Sequence, residues 1–259
     1  MRPYPALASL RIGCVQYLNS KPLIYGYDGP VVFDHPSGLA RALAAGNLDV
    51  ALVPTFEALR TPHYILADGV AIASDGPVYS VFLAHRKPLA EVRSVALDPA
   101  SLTSVHLFQV LLREYHGLQP QLLDLSAFPR EADAALIIGN QAIDFRKQNK
   151  DAYPILDLGE EWKRCTGLPF VFAPWLLRPD LPDAAEVAGE LRALKARGLA
   201  HLDEIIHAEP RDPSFTRGYL TQHIRFDLGD REKAGIEKYR ELLAKYGFIA
   251  DAVTPLRYA

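Results

Sequence analysis

Short apolar runs alternate with helical patterns through the first two-thirds of the chain, and most runs stop at a turn former or a small polar residue. Residues 10–17, 31–34, 49–53 and 78–84 read as strands, and so do 92–97, 134–138 and 170–177, because compact apolar runs bounded by turn signals have the length of buried strands. Between them, 38–46 ("GLARALAAG") reads as a short helix with Gly46 at its end, where a left-handed residue closes the last turn. Residues 105–115 place Leu107, Val110, Leu111 and Tyr115 at helical spacing. "GNQAIDF" (139–145) opens another helix. Strand–helix–strand order predicts an α/β fold with parallel pairing in its sheets.

The last third is helical. Residues 183–201 are rich in Ala and Leu, 214–224 follow, and 230–246 carry Ile236, Tyr239, Leu243 and Tyr246 three or four apart. These helices are expected to pack back on the first lobe. The chain has 259 residues, comfortable for two lobes. Lobe one is expected to be discontinuous, 1–87 plus 179–259, with lobe two, 88–178, inserted into it. Crossings near 85–90 and 174–180 would form a hinge, with a ligand cleft between the lobes.

Composition narrows the function. The formal net charge is −3 and the basic residues form no long run, which argues against nucleic acid and against an anionic membrane surface. No run approaches the roughly 18 apolar residues of a spanning helix. "RIGC" (11–14) looks like the end of a lipoprotein signal, but only 6–10 precede it as an apolar stretch, too short for a leader's apolar core. Cys14 and Cys165 show no metal or redox spacing. A cytoplasmic protein with reduced thiols is expected.

Three stretches place small polar residues between a strand end and a helix start: Asn19-Ser20 in "LNSKP", Ser101, Thr103 and Ser104 in "ASLTS", and Gly139-Asn140 in "IIGNQA". Helix starts leave amide hydrogens unpaired and carry partial positive charge. Several of them facing one cleft would bind an anion without arginine. Ser80 in "VYSVFL" adds a hydroxyl inside an apolar strand. Taken singly, each stretch reads as an ordinary helix cap; together they mark a candidate site.

Other features read as structural. Asp49 in "GNLDVALVP" fits an αβ turn, and "EEW" (160–162) has adjacent carboxylates that cannot share a helix face, so a solvated face is expected. "TGLPFVFAPW" (166–175) reads equally as cleft lining or as core. The eight histidines are scattered without the i, i+4 pairing of a zinc site, and His106 is expected to pack inside its helix. No nucleophile elbow, phosphate loop or dinucleotide fingerprint is present. No cofactor or metal is expected, and the oligomeric state is open.

Nearly the whole chain resembles the chorismate dehydratase family of the futalosine route to menaquinone. The resemblance is carried by "VQYLNSKPL", "GNLDVALVP", "SLTSVHLFQVLL", "DLGEEWKRCTGLPFVFAPW" and "YLTQHIRFDLGDREKAGIEKY", with 162–175 the most specific part. It implies a two-lobed, type II periplasmic-binding-protein-like fold, each lobe a mixed sheet flanked by helices. It implies loss of water from chorismate to give 3-[(1-carboxyvinyl)oxy]benzoate, a carbon–oxygen lyase reaction, with the substrate's enolpyruvyl carboxylate as base. Asn19 would then be catalytic, and Ser20, Ser80, Ser101, Thr103, Ser104, Gly139 and Asn140 would bind substrate. Similar proteins often carry Gly-Asp where this chain has Gly139-Asn140. The resemblance leaves two alternatives: a non-catalytic binding protein for a small anionic aromatic metabolite, and the paralogous 1,4-dihydroxy-6-naphthoate synthase, which uses a catalytic His. No equally convincing His is found here.

Overall fold

The computed structural model describes residues 4–97, 101–149, 152–250 and 254–259. Residues 98–100, which include the first residue of "ASLTS", lie outside the described residues. Among the described residues, six strands form the first sheet, in the order β11 (Arg257–Tyr258), β4 (Ile65–Ser74), β10 (Phe170–Leu177), β3 (Val50–Leu52), β1 (Ile12–Cys14), β2 (Val31–Phe33). Five form the second: β7 (Gln121–Asp124), β6 (Ser94–Leu97), β8 (Ala134–Ile138), β5 (Val81–His85), β9 (Ile155–Asp157).

One strand in each sheet runs against its neighbours. β10 is antiparallel to β3 and β4, and β5 to β8 and β9; the other ladder pairs are parallel. Each reversed strand is the first one laid down after the chain changes sheet, which corrects the simple parallel expectation to two mixed sheets. The changes fall between β4 and β5 and between β9 and β10. Strand β5 therefore belongs to the second sheet although it lies within 1–87, and β10 to the first although it lies within 88–178. The crossings come at 75–80 and 158–169, earlier along the chain than 85–90 and 174–180.

Helices α1 (Lys21–Ile24), α2 (Pro36–Ala44) and α3 (Thr55–Arg60) follow the first strands. Helix α4 (Leu102–His116) ends on Gly117 in the left-handed region, and α5 (Gly139–Gln148) and α6 (Leu158–Thr166) cover the second sheet. Helix α7 (Ala184–Ala200) packs on α1 and β4, and the short α8 (Leu202–His207) and α9 (Pro213–Gly218) lead into a π-helical turn, Tyr219–His223. This turn splits the helix expected over 214–224. Finally α10 (Asp230–Lys245) packs against β10 and α4, so it touches both halves of the fold.

Strand alternation explains the cores. Val81, Leu83, Val95, Leu97 and Leu136 point into the main core, which is continuous with the first sheet. Their neighbours Phe82, Ala84, Ala96, Ala135 and Ile137 form a smaller cluster on the opposite face, as a period of two requires. The longest strand, β4, has no counterpart among the strands read from sequence. It contains Asp68-Gly69, a turn signature, and Gly69 has φ +73°; pairing with β10 carries the chain through it.

Candidate functional site

Between the two sheets lies a cleft with about 600 Å³ of empty space, its open mouth included. It forms where strands end. Asn19 follows β1, Val53 and Pro54 follow β3, Gly139 follows β8, and Ser101–Ser104 open α4. Ser80 comes from the crossing that precedes β5, and Phe172 and Ala173 come from β10. Carboxyl ends of strands are where open α/β sheets place ligands, because backbone groups there are not used in the ladder.

Six of the eight sequence-predicted residues line this one cleft: Asn19, Ser80, Ser101, Thr103, Ser104 and Gly139. All five side chains among them are buried. Asn19 sits in the single 3-10 turn Leu18–Ser20, and its Oδ1 has no hydrogen-bond partner. Ser80 lies just before β5 rather than within it, and its Oγ is 2.8 Å from the Tyr219 hydroxyl. Its carbonyl accepts a 2.8 Å hydrogen bond from the Gly139 amide, joining two segments of the second half. Ser101 occupies the N-cap of α4 without making a side-chain cap bond. Thr103 Oγ1 accepts from the Phe56 amide at 3.1 Å, fastening α4 to α3.

Ser20 and Asn140 are placed differently. The Ser20 hydroxyl donates to the carbonyls of Val15 (2.6 Å) and Tyr17 (2.8 Å), so it shapes the loop after β1 and lies outside the cleft lining. The Asn140 carboxamide accepts from the Leu18 amide at 3.1 Å and donates to the Gln16 carbonyl at 3.4 Å. It thereby ties the start of α5 to the loop that carries Asn19, and it faces a neighbouring cavity at the cleft mouth beside Gln16, Asp34 and His35.

The electrostatics are unusual for an enzyme site. None of the described lining residues is Asp, Glu, His, Lys or Arg. Positive potential comes from backbone instead: α4 and α5 both start at the cleft, and the first-turn amides of a helix have no intrahelical acceptor. Gly139 opens α5 with φ +63°, and a Cβ there would lie 2.9 Å from the Tyr17 ring, so glycine serves both the turn and the close approach. Among the described residues no cluster of His, Cys, Asp and Glu is arranged to hold a metal ion.

Two residues that sequence reasoning passed over organise this wall. Asp157 N-caps α6 and accepts from the amides of Val78, Tyr79, Gly159 and Glu160, while Arg146 Nη2 lies 3.1 Å from its Oδ2. It pins the crossing that presents Ser80, in which Tyr79 adopts φ +68° with its ring under the Arg146 guanidinium. Tyr219 is buried against Ser80; burial raises its hydroxyl above the ordinary range, opposed by the hydrogen bond with Ser80. The Asp in "ILDLGEE" had a cap signature, but its reach to 78 and 79 is tertiary; a Tyr at 219 carries no local mark.

The structural readings also divide. His106 stacks on Phe56 with ring centroids 3.7 Å apart, and burial lowers its pKa, as a packed histidine should. Asp49 accepts from the Arg11 backbone and guanidinium. The solvated face expected for "EEW" holds for Glu160 but not for Glu161. Glu161 is buried between Arg164 and His116, and its carboxyl is held down to about 2, mainly by the Arg164 hydrogen bond. In "TGLPFVFAPW", Phe172 and Ala173 line the cleft while Trp175 is core. The buried Cys14 thiol is pushed up to about 12 by burial.

Against known proteins, residues 10–245 match the family model described as menaquinone biosynthesis. A chorismate dehydratase of Thermus thermophilus is 30% identical over 94% of this chain and 96% of its own length. Among solved structures, a protein of Archaeoglobus fulgidus superposes with a TM-score of 0.73 at 15% identity, covering 93% of this chain and 98% of that one. A Candida albicans protein described as having the generic periplasmic binding protein fold superposes at 0.63 with 14% identity, over 94% of this chain and 91% of its own. The two mixed sheets with a cleft between them are that fold.

Proposed function

This chain belongs to the menaquinone-biosynthesis family, and from that premise we propose that it is a chorismate dehydratase, a hydro-lyase that converts chorismate to 3-[(1-carboxyvinyl)oxy]benzoate and water. The observation that carries the reading is a cleft whose described lining offers helix starts, hydroxyls and one carboxamide, with no carboxylate and no imidazole. Such a wall suits a doubly negative substrate, and the reading takes the substrate's own enolpyruvyl carboxylate as the base.

The chemistry fits that division. The C3 hydrogen of chorismate is acidified by conjugation through the ring double bond to the ring carboxylate. Its removal sends negative charge toward that carboxylate, where aligned amide and hydroxyl donors stabilise it in a site shielded from water. Ser101, Ser104 and the first turn of α4 bind one carboxylate, and Ser80 with the Gly139 turn faces the ring. The enolpyruvyl carboxylate takes the C3 proton, the C4–O bond breaks, proton and hydroxide leave as water, and aromatisation drives the step. Asn19 holds the substrate for this elimination. Thr103, its hydroxyl engaged by the Phe56 amide, fixes the position of α4, while Ser20 and Asn140 shape and fasten the loop that bears Asn19.

The test is direct. Purified protein mixed with chorismate should yield an aromatic product, followed by absorbance and identified by mass. Asn19→Ala should stay folded and lose roughly one to two decades of turnover, the worth of one buried hydrogen bond felt at the transition state. Tight binding of unchanged chorismate would turn the reading to a receptor; no binding at all would remove chorismate as the ligand.

A further inference from the structure

A run of charges outside the cleft joins its two walls. Lys21 follows the turn that carries Asn19, and it pairs with Glu209 in the segment between α8 and α9. Glu209 also faces Arg211, whose Nη1 lies 3.4 Å from its Oε2. Arg211 Nη2 then reaches across to α5 and donates to both carboxylate oxygens of Asp144, at 3.2 and 3.3 Å. Asp144 lies on the helix that Gly139 opens. Among these links, Arg211–Asp144 is the one that passes between the halves of the fold, because α8 packs back on α1 while α5 packs on β8.

Burial along the run is uneven. The Glu209 side chain is 3% exposed, and a carboxylate so buried needs cationic partners; Lys21 and Arg211 supply them. The Asp144 side chain is 51% exposed. Arg211 is therefore anchored at its buried end and held out toward α5. A guanidinium already fixed in place loses less freedom on pairing than a mobile surface arginine does, so this link is stronger than an ordinary surface ion pair. The same two segments are joined a second time nearer the cleft, where Asn140 accepts from the Leu18 amide and donates to the Gln16 carbonyl. The two connections act in parallel on one spacing.

We infer that Arg211 is a positioning residue: anchored on Glu209 and paired with Asp144, it straps α5 to the segment that carries Asn19 and sets the gap between those two walls of the cleft. None of the four charged residues lines the cleft, so they act on a bound molecule only through that gap. The kinetic consequence rests on the dehydratase reading. A looser gap weakens the hold on chorismate, while the elimination keeps its rate once both walls are engaged.

Asp144→Asn removes one charge from an exposed helix face and leaves Glu209 paired. KM for chorismate should rise about three- to tenfold, between the value of an exposed ion pair and that of a charged hydrogen bond, with kcat within twofold. Arg211→Ala should do at least as much. The double variant should do no more than Arg211→Ala, because Asp144 acts through Arg211. Arg217→Ala, which breaks the Arg217–Asp203 pair within the first half, should change neither constant. Amide hydrogen exchange reads the gap without chorismate. The Leu18 amide, whose acceptor is Asn140 on the other wall, should exchange about three- to tenfold faster in Asp144→Asn. The Gly139 amide, whose acceptor Ser80 lies in the same half, should stay within twofold. Unchanged Leu18 exchange, equal quickening at Gly139, or an unmoved KM in protein that turns chorismate over would overturn the inference. Leu18 exchange that responds in a protein indifferent to chorismate would sink the dehydratase reading and leave the strap standing.

Discussion

Gly139→Ala tests the geometry of the cleft more sharply than any change of a polar residue. Two costs are separable there. The first is backbone: φ is +63°, and an L-residue in that region loses about 1–2 kcal/mol. The second is steric. The new methyl would lie 2.9, 3.0 and 3.1 Å from three carbons of the Tyr17 ring, about 0.6 Å inside the ~3.5 Å at which carbon contacts become favourable. The backbone is restrained from retreating because the Gly139 amide is bonded to the Ser80 carbonyl at 2.8 Å, so the ring must yield, at a cost of about 1–3 kcal/mol. Together these give about 2–5 kcal/mol, or a melting temperature lower by about 4–20 °C at about 2–4 °C per kcal/mol for a chain of this size. Gly117→Ala is the control, with nearly the same φ (+65°) and nothing within 4 Å of the added carbon; it should show the backbone part alone. Thermal melts followed by circular dichroism measure both. Replacing Tyr17 with Leu in the Gly139→Ala background should recover the steric part. If Gly139→Ala melts no lower than Gly117→Ala, Tyr17 does not abut Gly139 and the wall of the cleft is wrongly built.

Asp157→Ala should be among the most damaging single changes, since it orphans four backbone amides and leaves the Arg146 charge without its carboxylate; a loss of roughly 3–5 kcal/mol is expected in urea unfolding. The Glu161 carboxyl lies below its ordinary value of 4.5, at about 2, so its contribution is fully present above about pH 5 and is lost as pH falls through 2; the urea midpoint of Glu161→Gln should depend less on pH in that window than the wild type's. Asn140→Ala removes both bonds to the Gln16–Leu18 loop. It should raise KM for chorismate by about tenfold, corresponding to one to two neutral hydrogen bonds, and an unchanged KM would show that the loop holds its place without them. Thr103→Val strands the Phe56 amide in a buried setting and should lower stability by about 1–3 kcal/mol.

Most strands were legible where apolar runs were bounded by Gly, Pro or polar turns, as at Val50–Leu52, Ala134–Ile138 and Phe170–Leu177. Those lacking such contrast were not. Gln121–Asp124 is an exposed edge strand without an apolar run, and Ile65–Ser74 is interrupted by Asp68-Gly69. The burial of Glu161 was hidden for a similar reason: its partner His116 lies 45 positions away, and a pattern of neighbours carries no trace of it.

By itself the chain's local chemistry determined the alternation of strands and helices and the small polar residues that must sit at their junctions, because propensity, capping and burial act over a few positions. The tertiary structure decided which junctions meet. It gathered Asn19, Ser80, Ser101, Thr103, Ser104 and Gly139 around one space and turned Ser20 and Asn140 to holding the loop in place. It also brought Tyr219, 139 positions from Ser80, into hydrogen-bond contact with it. Which side chain reaches a cleft depends on where the chain changes sheet and on how helices turn, and those are set by packing among distant segments.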